Sequence, residues 1–396
     1  GLSLLELEHC NQLHSLDFDT LFSALPNLEK LILSDMSKEF IERVLIPTFA
    51  KNLLPKLSAL DFRRSAALHT LWPSLPLHIT HIITDWPTST ALVPALKRLP
   101  LESLKLTTTK WPTLDMLAPA LKDKTTLNTL CVDLRADTSA LQLVGISFCE
   151  ALATLTQLTH LEMNRLQLRV IQLGDVLMET LSKLTAIRIL KLDSLYMIPV
   201  LHKTVNVMSQ VQILHLQWAT ADWDESLHLP LLQTLSLDVY SRTVNHVDPL
   251  LSSAPGLRCV TLNVSKGNVK VPLQMPRKAI QALAGLTLHT LVLKRWSLKK
   301  GGLEALSKSL HQMDLHKLWM DKVSLKGINV SPLCEAIQRM EHLTCLRLMC
   351  ASMSSAALQC VIQACPSTLT TLDVTGNELD DAAINTLLLA HLPLKD

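Results

Sequence analysis

One phrase governs this chain from end to end: an apolar residue, two variable residues, a second apolar residue, one variable residue and a third apolar residue. It reads LSLLEL from residue 2, LEKLIL from 28, LSALDF from 57, ITHIIT from 79 and LESLKL from 101. It continues as LNTLCV from 127, LTHLEM from 158, IRILKL from 187, VQILHL from 211 and LQTLSL from 232. LRCVTL from 257, LHTLVL from 288, LHKLWM from 315, LTCLRL from 343 and LTTLDV from 369 complete fifteen copies, spaced 21 to 31 residues apart. The copy at 79 is the weakest, with Thr84 in its third apolar slot. Alternation at the fourth, fifth and sixth positions is the period of a strand. A short strand with one apolar side cannot bury that side alone, so the copies must stack into a parallel sheet.

Whatever follows each strand must carry the chain back along the other side. In the longer repeats this return reads as helix. SPLCEAIQRM (331–340) offers Ser331 as N-cap and Pro332 at the first helical position. LDDAAINTLLLAH (379–391) offers Asp380 or Asp381 as cap, then Ala382, Ala383, Ile384, Leu387 and Leu388 at helical spacing. GGLEALSKSLHQM and TSALQLVGISFCEALATL read similarly. Steps of 21 to 24 residues are too short for a full helix, so extended or single-turn returns are expected there.

Composition narrows the function classes. With 48% hydrophobic and 18% charged residues, the chain must bury a large core. A net charge of +2 without a basic run argues against nucleic-acid binding. No apolar stretch approaches the roughly 18 residues of a membrane span. The nine cysteines are scattered, with no CxxC pair and no nearby histidines at zinc-finger distances. They read as free thiols in a reducing compartment, which places the chain in the cytoplasm. The NVS sequons at Asn263 and Asn329 matter only if it is secreted. There is no phosphate-cradling glycine loop, no GxSxG elbow and no HExxH. His78 and His81 lie three apart on a strand and so point to opposite faces. Neither enzymatic activity nor a metal or cofactor is expected.

The fifteen phrases closely resemble the leucine-rich repeat family. LTTLDVTGNELDDAA carries Asn377 and Leu379 at the family's ninth and eleventh positions, and LSLLELEHCNQL carries Cys10 at the ninth. The steps of 26 to 31 residues look most like the helix-bearing, ribonuclease-inhibitor-like subtype. The resemblance implies an α/β solenoid over residues 1–396, with a curved parallel sheet on the concave side and helices and short turns on the convex side. In the family the ninth-position Asn bridges backbone groups of neighbouring turns. Here Met36, Leu166, Leu195, Trp296 and Val323 replace it, which implies an irregular array. Leu394 stands where a sixteenth phrase would open, and neither end carries a polar cap, so the expectation is a slice of a longer chain.

A solenoid of this kind offers its sheet face to a partner. The fifth-position residues on that face are mixed in sign, which suits a protein better than a polyanion. Copies twelve to fourteen place Lys294, Arg295, His316, Lys317, Trp319, Asp321, Lys322 and Arg347 on adjacent strands. Trp and Arg are the types most enriched at binding hot spots, so Lys294, Arg295, His316, Trp319, Lys322 and Arg347 are the expected partner-binding residues. Asp85 and Trp86 with Arg63 and Arg64 form a weaker candidate, and His215 with Trp218 a third. Trp72 and Trp111 lie outside the strands and read as packing residues. The function expected is a non-catalytic protein-binding scaffold using the concave face, as the recognition part of a larger protein. A stand-alone inhibitor of an enzyme and an extracellular recognition domain are the alternatives.

Overall fold

The computed structural model describes residues 1–8, 18–63, 68–85, 91–109, 111–122, 124–134, 145–166, 171–194, 209–217, 228–240, 244, 247–265, 273–298, 300–390 and 392–394. Every phrase becomes a strand that opens at its third position. The strands are β1 (Leu4–Glu8), β2 (Lys30–Ser34), β3 (Ala59–Arg63), β4 (His81–Asp85), β5 (Ser103–Thr109), β6 (Thr129–Leu134), β7 (His160–Leu166) and β8 (Ile189–Ser194). They continue with β9 (Ile213–Gln217), β10 (Thr234–Val239), β11 (Cys259–Val264), β12 (Thr290–Lys294), β13 (Lys317–Asp321), β14 (Cys345–Met349) and β15 (Thr371–Asp373). The α/β class and the parallel stacking therefore stand as read from the phrase.

The chain forms two compact units, residues 1–192 and 193–396. In each unit the strands pair parallel in chain order, and residues at the same phrase position lie opposite one another. In the first unit the fourth-position row runs Leu5, Leu31, Leu60, Ile82, Leu104, Leu130, Leu161. In the second it runs Leu214, Leu235, Val260, Leu291, Leu318, Leu346, Leu372. The core lies between this inner face of the sheet and the returning segments. From Leu28 onward the first residue of every phrase is at most 1% exposed, because it plugs the gap where the chain enters the strand. Thr84 is buried too. Its hydroxyl donates to the Asp85 carbonyl at 3.0 Å, so the polar group in an apolar slot is satisfied.

The returns are helical where the repeats are long, at Ile146–Ala153, Lys300–Leu310, Ser331–Gln338, Ser355–Ala364 and Asp381–Leu389. Asp380 caps the last of these, accepting from the Ala383 amide at 2.9 Å. The helix at 146 is capped from a distance. Asp115 accepts from the amides of Gly145 at 2.6 Å and Phe148 at 3.0 Å. Two expectations need correction. Ser331 is the first residue of its helix, not its cap, because Asn329 reaches forward and accepts from the Ser331 amide at 3.0 Å. The short repeats are also not alike. The 57–79 repeat does return through four α-helical and three 3-10 residues, Leu68–Leu71 and Trp72–Ser74. The 79–101 repeat instead fits a seven-residue helix, Leu92–Arg98, nearly two turns. Its apolar residues Leu92, Ala95 and Leu96 recur at helical spacing and are buried. Trp72 is fully buried and packs edge-on against Phe62, 5.9 Å between ring centroids, in the packing role expected of it.

Candidate functional site

The outer face of the second unit's sheet carries Val292, Trp319 and Arg347 in register on β12, β13 and β14. Trp319 is half-buried. The Arg347 guanidinium carbon lies 4.4 Å from its ring centroid, a cation–π stack across neighbouring strands. The indole N–H donates to Cys345 Sγ at 3.4 Å. Arg347 Nε is buried and has no hydrogen-bond partner. Lys294 sits at the exit of β12, in register with Asp321 of β13.

The six expected residues do not gather into one cluster. Residues 316 and 322 are separated by six strand steps, about 20 Å. Trp319 and Arg347 hold the centre of the face. Arg295 turns away to Asn263, donating to its Oδ1 at 3.1 Å, and Asn263 in turn donates to Asp238 Oδ1 at 2.8 Å. Burial raises the Asp238 carboxyl, a rise that the Asn263 hydrogen bond and the charges of His215, Arg295 and Lys294 oppose. Lys322 lies at the strand exit, its backbone amide bonded to the Met349 carbonyl at 2.8 Å. His316 lies at the opposite end, where the strands begin. There it joins His289, Asp314 and His342, a group that strand-by-strand reading did not assemble. Of the other candidates, Trp86, Arg64 and Trp218 lie outside the described residues.

The first unit holds a second polar group on its outer face. Cys131 on β6 lies opposite Glu162 on β7, and His160 shares the face with Glu162 two residues earlier. Their ligating atoms lie within 4.8 Å of one another. Glu162 already accepts from Asn164 Nδ2 at 2.8 Å and from Lys191 Nζ at 3.1 Å. Burial pushes this carboxyl up, but those hydrogen bonds and the Lys191 and Lys105 charges outweigh it and hold it below its ordinary value. Burial, with Lys191 beside it, lowers the His160 imidazole. An ammonium bound to the carboxylate makes this a poor seat for a cation. The eight described cysteines are unpaired. Burial lifts Cys149 and Cys365 to about 12 and Cys334 to about 11, so these thiols stay protonated at neutral pH and are not nucleophiles.

The strand exits carry the detail that decides the fold family. The eighth phrase position turns left-handed in six repeats, at Asp35, Arg165, Arg295, Lys322, Cys350 and Gly376, with φ from 50° to 75°. At Arg295, Lys322 and Cys350 the amide then donates to the seventh-position carbonyl of the next repeat: Asp321, Met349 and Thr375, at 2.7 to 2.8 Å. One residue on, Asn377 accepts from the amides of Ala351 and Met353 at 3.1 and 3.2 Å. It donates to the carbonyls of Leu348 and Val374 at 2.6 and 2.8 Å. Fifteen strand-forming phrases, with this backbone bridge at three of their exits, are the architecture of a leucine-rich repeat. The chain has the leucine-rich-repeat fold. At three ninth positions that lack Asn, an apolar side chain fills the space instead: Met36, Trp296 and Val323 are at most 2% exposed. Trp296 also keeps half of the bridge. Its indole N–H donates to the Leu262 carbonyl at 2.9 Å, the carbonyl equivalent to the one that Asn377 reaches on Leu348.

No model of a known family matches the sequence, and no curated protein does. Among solved structures, the complex of TLR13 with ssRNA13 aligns at 17% identity and a TM-score of 0.44, over 100% of this chain and 66% of that one. The Toll–Spatzle complex from Drosophila aligns at 14% identity and a TM-score of 0.44, over 95% of this chain and 55% of that one. The chain thus spans less than two thirds of either.

Proposed function

We propose that this leucine-rich-repeat chain is a non-catalytic binding scaffold whose protein partner docks on the sheet face, centred on Trp319 and Arg347. The observation that carries this is the indole–guanidinium stack in the middle of that face. It is a large, rigid surface of the two residue types that dominate hot spots. The strands around it lean positive, with Lys294, Lys317, Lys322 and Arg347 against Asp321 and Asp373, the latter in register with Arg347. A partner presenting acidic side chains fits that bias and would be steered to it. Unpaired cysteines support a reducing compartment, the cytoplasm. The role within a larger protein belongs to the same proposal.

The test is recovery of partners on immobilised chain. The double variant Trp319→Ala, Arg347→Ala is compared with Gln338→Ala on the exposed surface of a returning helix. Loss of about 2 kcal/mol or more, roughly thirtyfold in Kd, is expected for the double variant alone. If every recovered partner holds at full strength, the face is not the binding site.

A further inference from the structure

The entry edge of β12, β13 and β14 brings three imidazoles around one carboxylate. His289 and His316 occupy the second position of successive phrases, while Asp314 and His342 stand immediately before the first position of theirs. Leu288, Leu315 and Leu343, at most 1% exposed, anchor the three entries. The backbone ladder fixes them relative to one another: the His289 carbonyl accepts from the His316 and Lys317 amides at 2.9 and 3.0 Å. The His316 carbonyl accepts from Thr344 and Cys345 at 2.9 and 3.1 Å.

The side chains converge. Nε2 of His289 lies 3.9 Å and Nε2 of His316 4.0 Å from Asp314 Oδ2, and Nε2 of His342 lies 3.9 Å from Oδ1. His316 and His342 stack at 5.8 Å and 17°, and His289 meets His316 edge-on at 5.2 Å. Among the described residues no lysine or arginine is paired with Asp314, whose carboxylate faces these three histidines, in contrast to the lysine-bound Glu162.

We infer that His289, His316 and Asp314 form a binding site for a borderline divalent transition ion, Zn²⁺ above all, with His342 holding the second carboxylate oxygen. Ligand atoms on a tetrahedral zinc stand about 3.4 Å apart. The three ligating atoms already lie within 4.8 Å of one another, and the two carboxylate–imidazole distances need to close by only about 0.5 Å, within reach of side-chain rotations. Two neutral imidazoles and a carboxylate suit Zn²⁺, Cu²⁺ or Ni²⁺ and not the hard cations Ca²⁺ and Mg²⁺. His342 occupies the place where ligating carboxylates take a supporting hydrogen bond. The side chains are about half exposed, from 45% to 65%, so the ion has an open path and its fourth position faces solvent. Bound, it would cross-link two consecutive repeats directly and a third through His342, and the folded state would gain stability as the ion concentration rises.

The experiment is calorimetric titration of the chain with ZnCl₂, repeated with MgCl₂ and CaCl₂. One zinc site is expected, with no response to the hard cations and a rise in unfolding temperature with zinc. His316→Asn and Asp314→Asn should each weaken binding by at least about tenfold and His342→Asn by about tenfold, while His160→Asn leaves it unchanged. Because cysteines also bind zinc, Co²⁺ is substituted in the unmodified chain. Ligand-field bands without thiolate charge-transfer absorption are expected. A Kd weaker than about 0.1 mM, equal affinity in His316→Asn and Asp314→Asn, or a thiolate band would overturn the assignment.

Discussion

Trp296 shows how a residue that breaks a motif can still meet its physical requirement. The ninth position must satisfy backbone groups left open at the strand exit and must also fill space beneath it. Asn377 does the first with four hydrogen bonds. Trp296 does part of the first and more of the second, being 1% exposed with its N–H on Leu262. Trp296→Phe keeps most of the volume and removes the donor. It should cost about 1–3 kcal/mol by urea denaturation, the penalty for a buried carbonyl that loses its partner. A change below about 0.5 kcal/mol would show that the indole is there for volume alone.

At the scale of elements, β6, β7 and β8 present Cys131, Glu162, His160 and Lys191 on one face, and the group couples to pH. Burial lowers the His160 imidazole below its unfolded value of about 6.5. The folded state therefore binds fewer protons than the unfolded state. The stability this group contributes is complete above about pH 6.5 and falls away as pH drops from there toward the folded value. His160→Gln should flatten the decline in urea midpoint between about pH 7.5 and pH 5.5 relative to the native chain. A decline of the same steepness in both would place the proton uptake elsewhere.

Across the whole molecule the repeat makes equivalent positions energetically equivalent. Leu161 in the first unit and Leu291 in the second occupy the same phrase position and are both fully buried. Leu161→Ala and Leu291→Ala should each cost about 2–5 kcal/mol in chemical denaturation, the range for a buried leucine that leaves a cavity. A loss under about 0.5 kcal/mol at either would contradict the register. The strands, their parallel order and their inward residues are legible in the residues alone, because a period of two within a phrase and a recurring phrase across the chain are local facts that admit one stacking. The neighbourhood of Trp319 and Arg347 is legible there too, since in-register strands make neighbours of equal positions. The strand ends are settled by three-dimensional packing. There Asp314 lies two residues before His316 and 28 before His342, and a side chain's reach and rotamer determine which groups meet. Spacing alone could not show that His316 leaves the Trp319 patch for three residues of adjoining entries. Nor could it show that an indole takes the place of an asparagine, because hydrogen bonds depend on where atoms lie and not on which letter stands at a position.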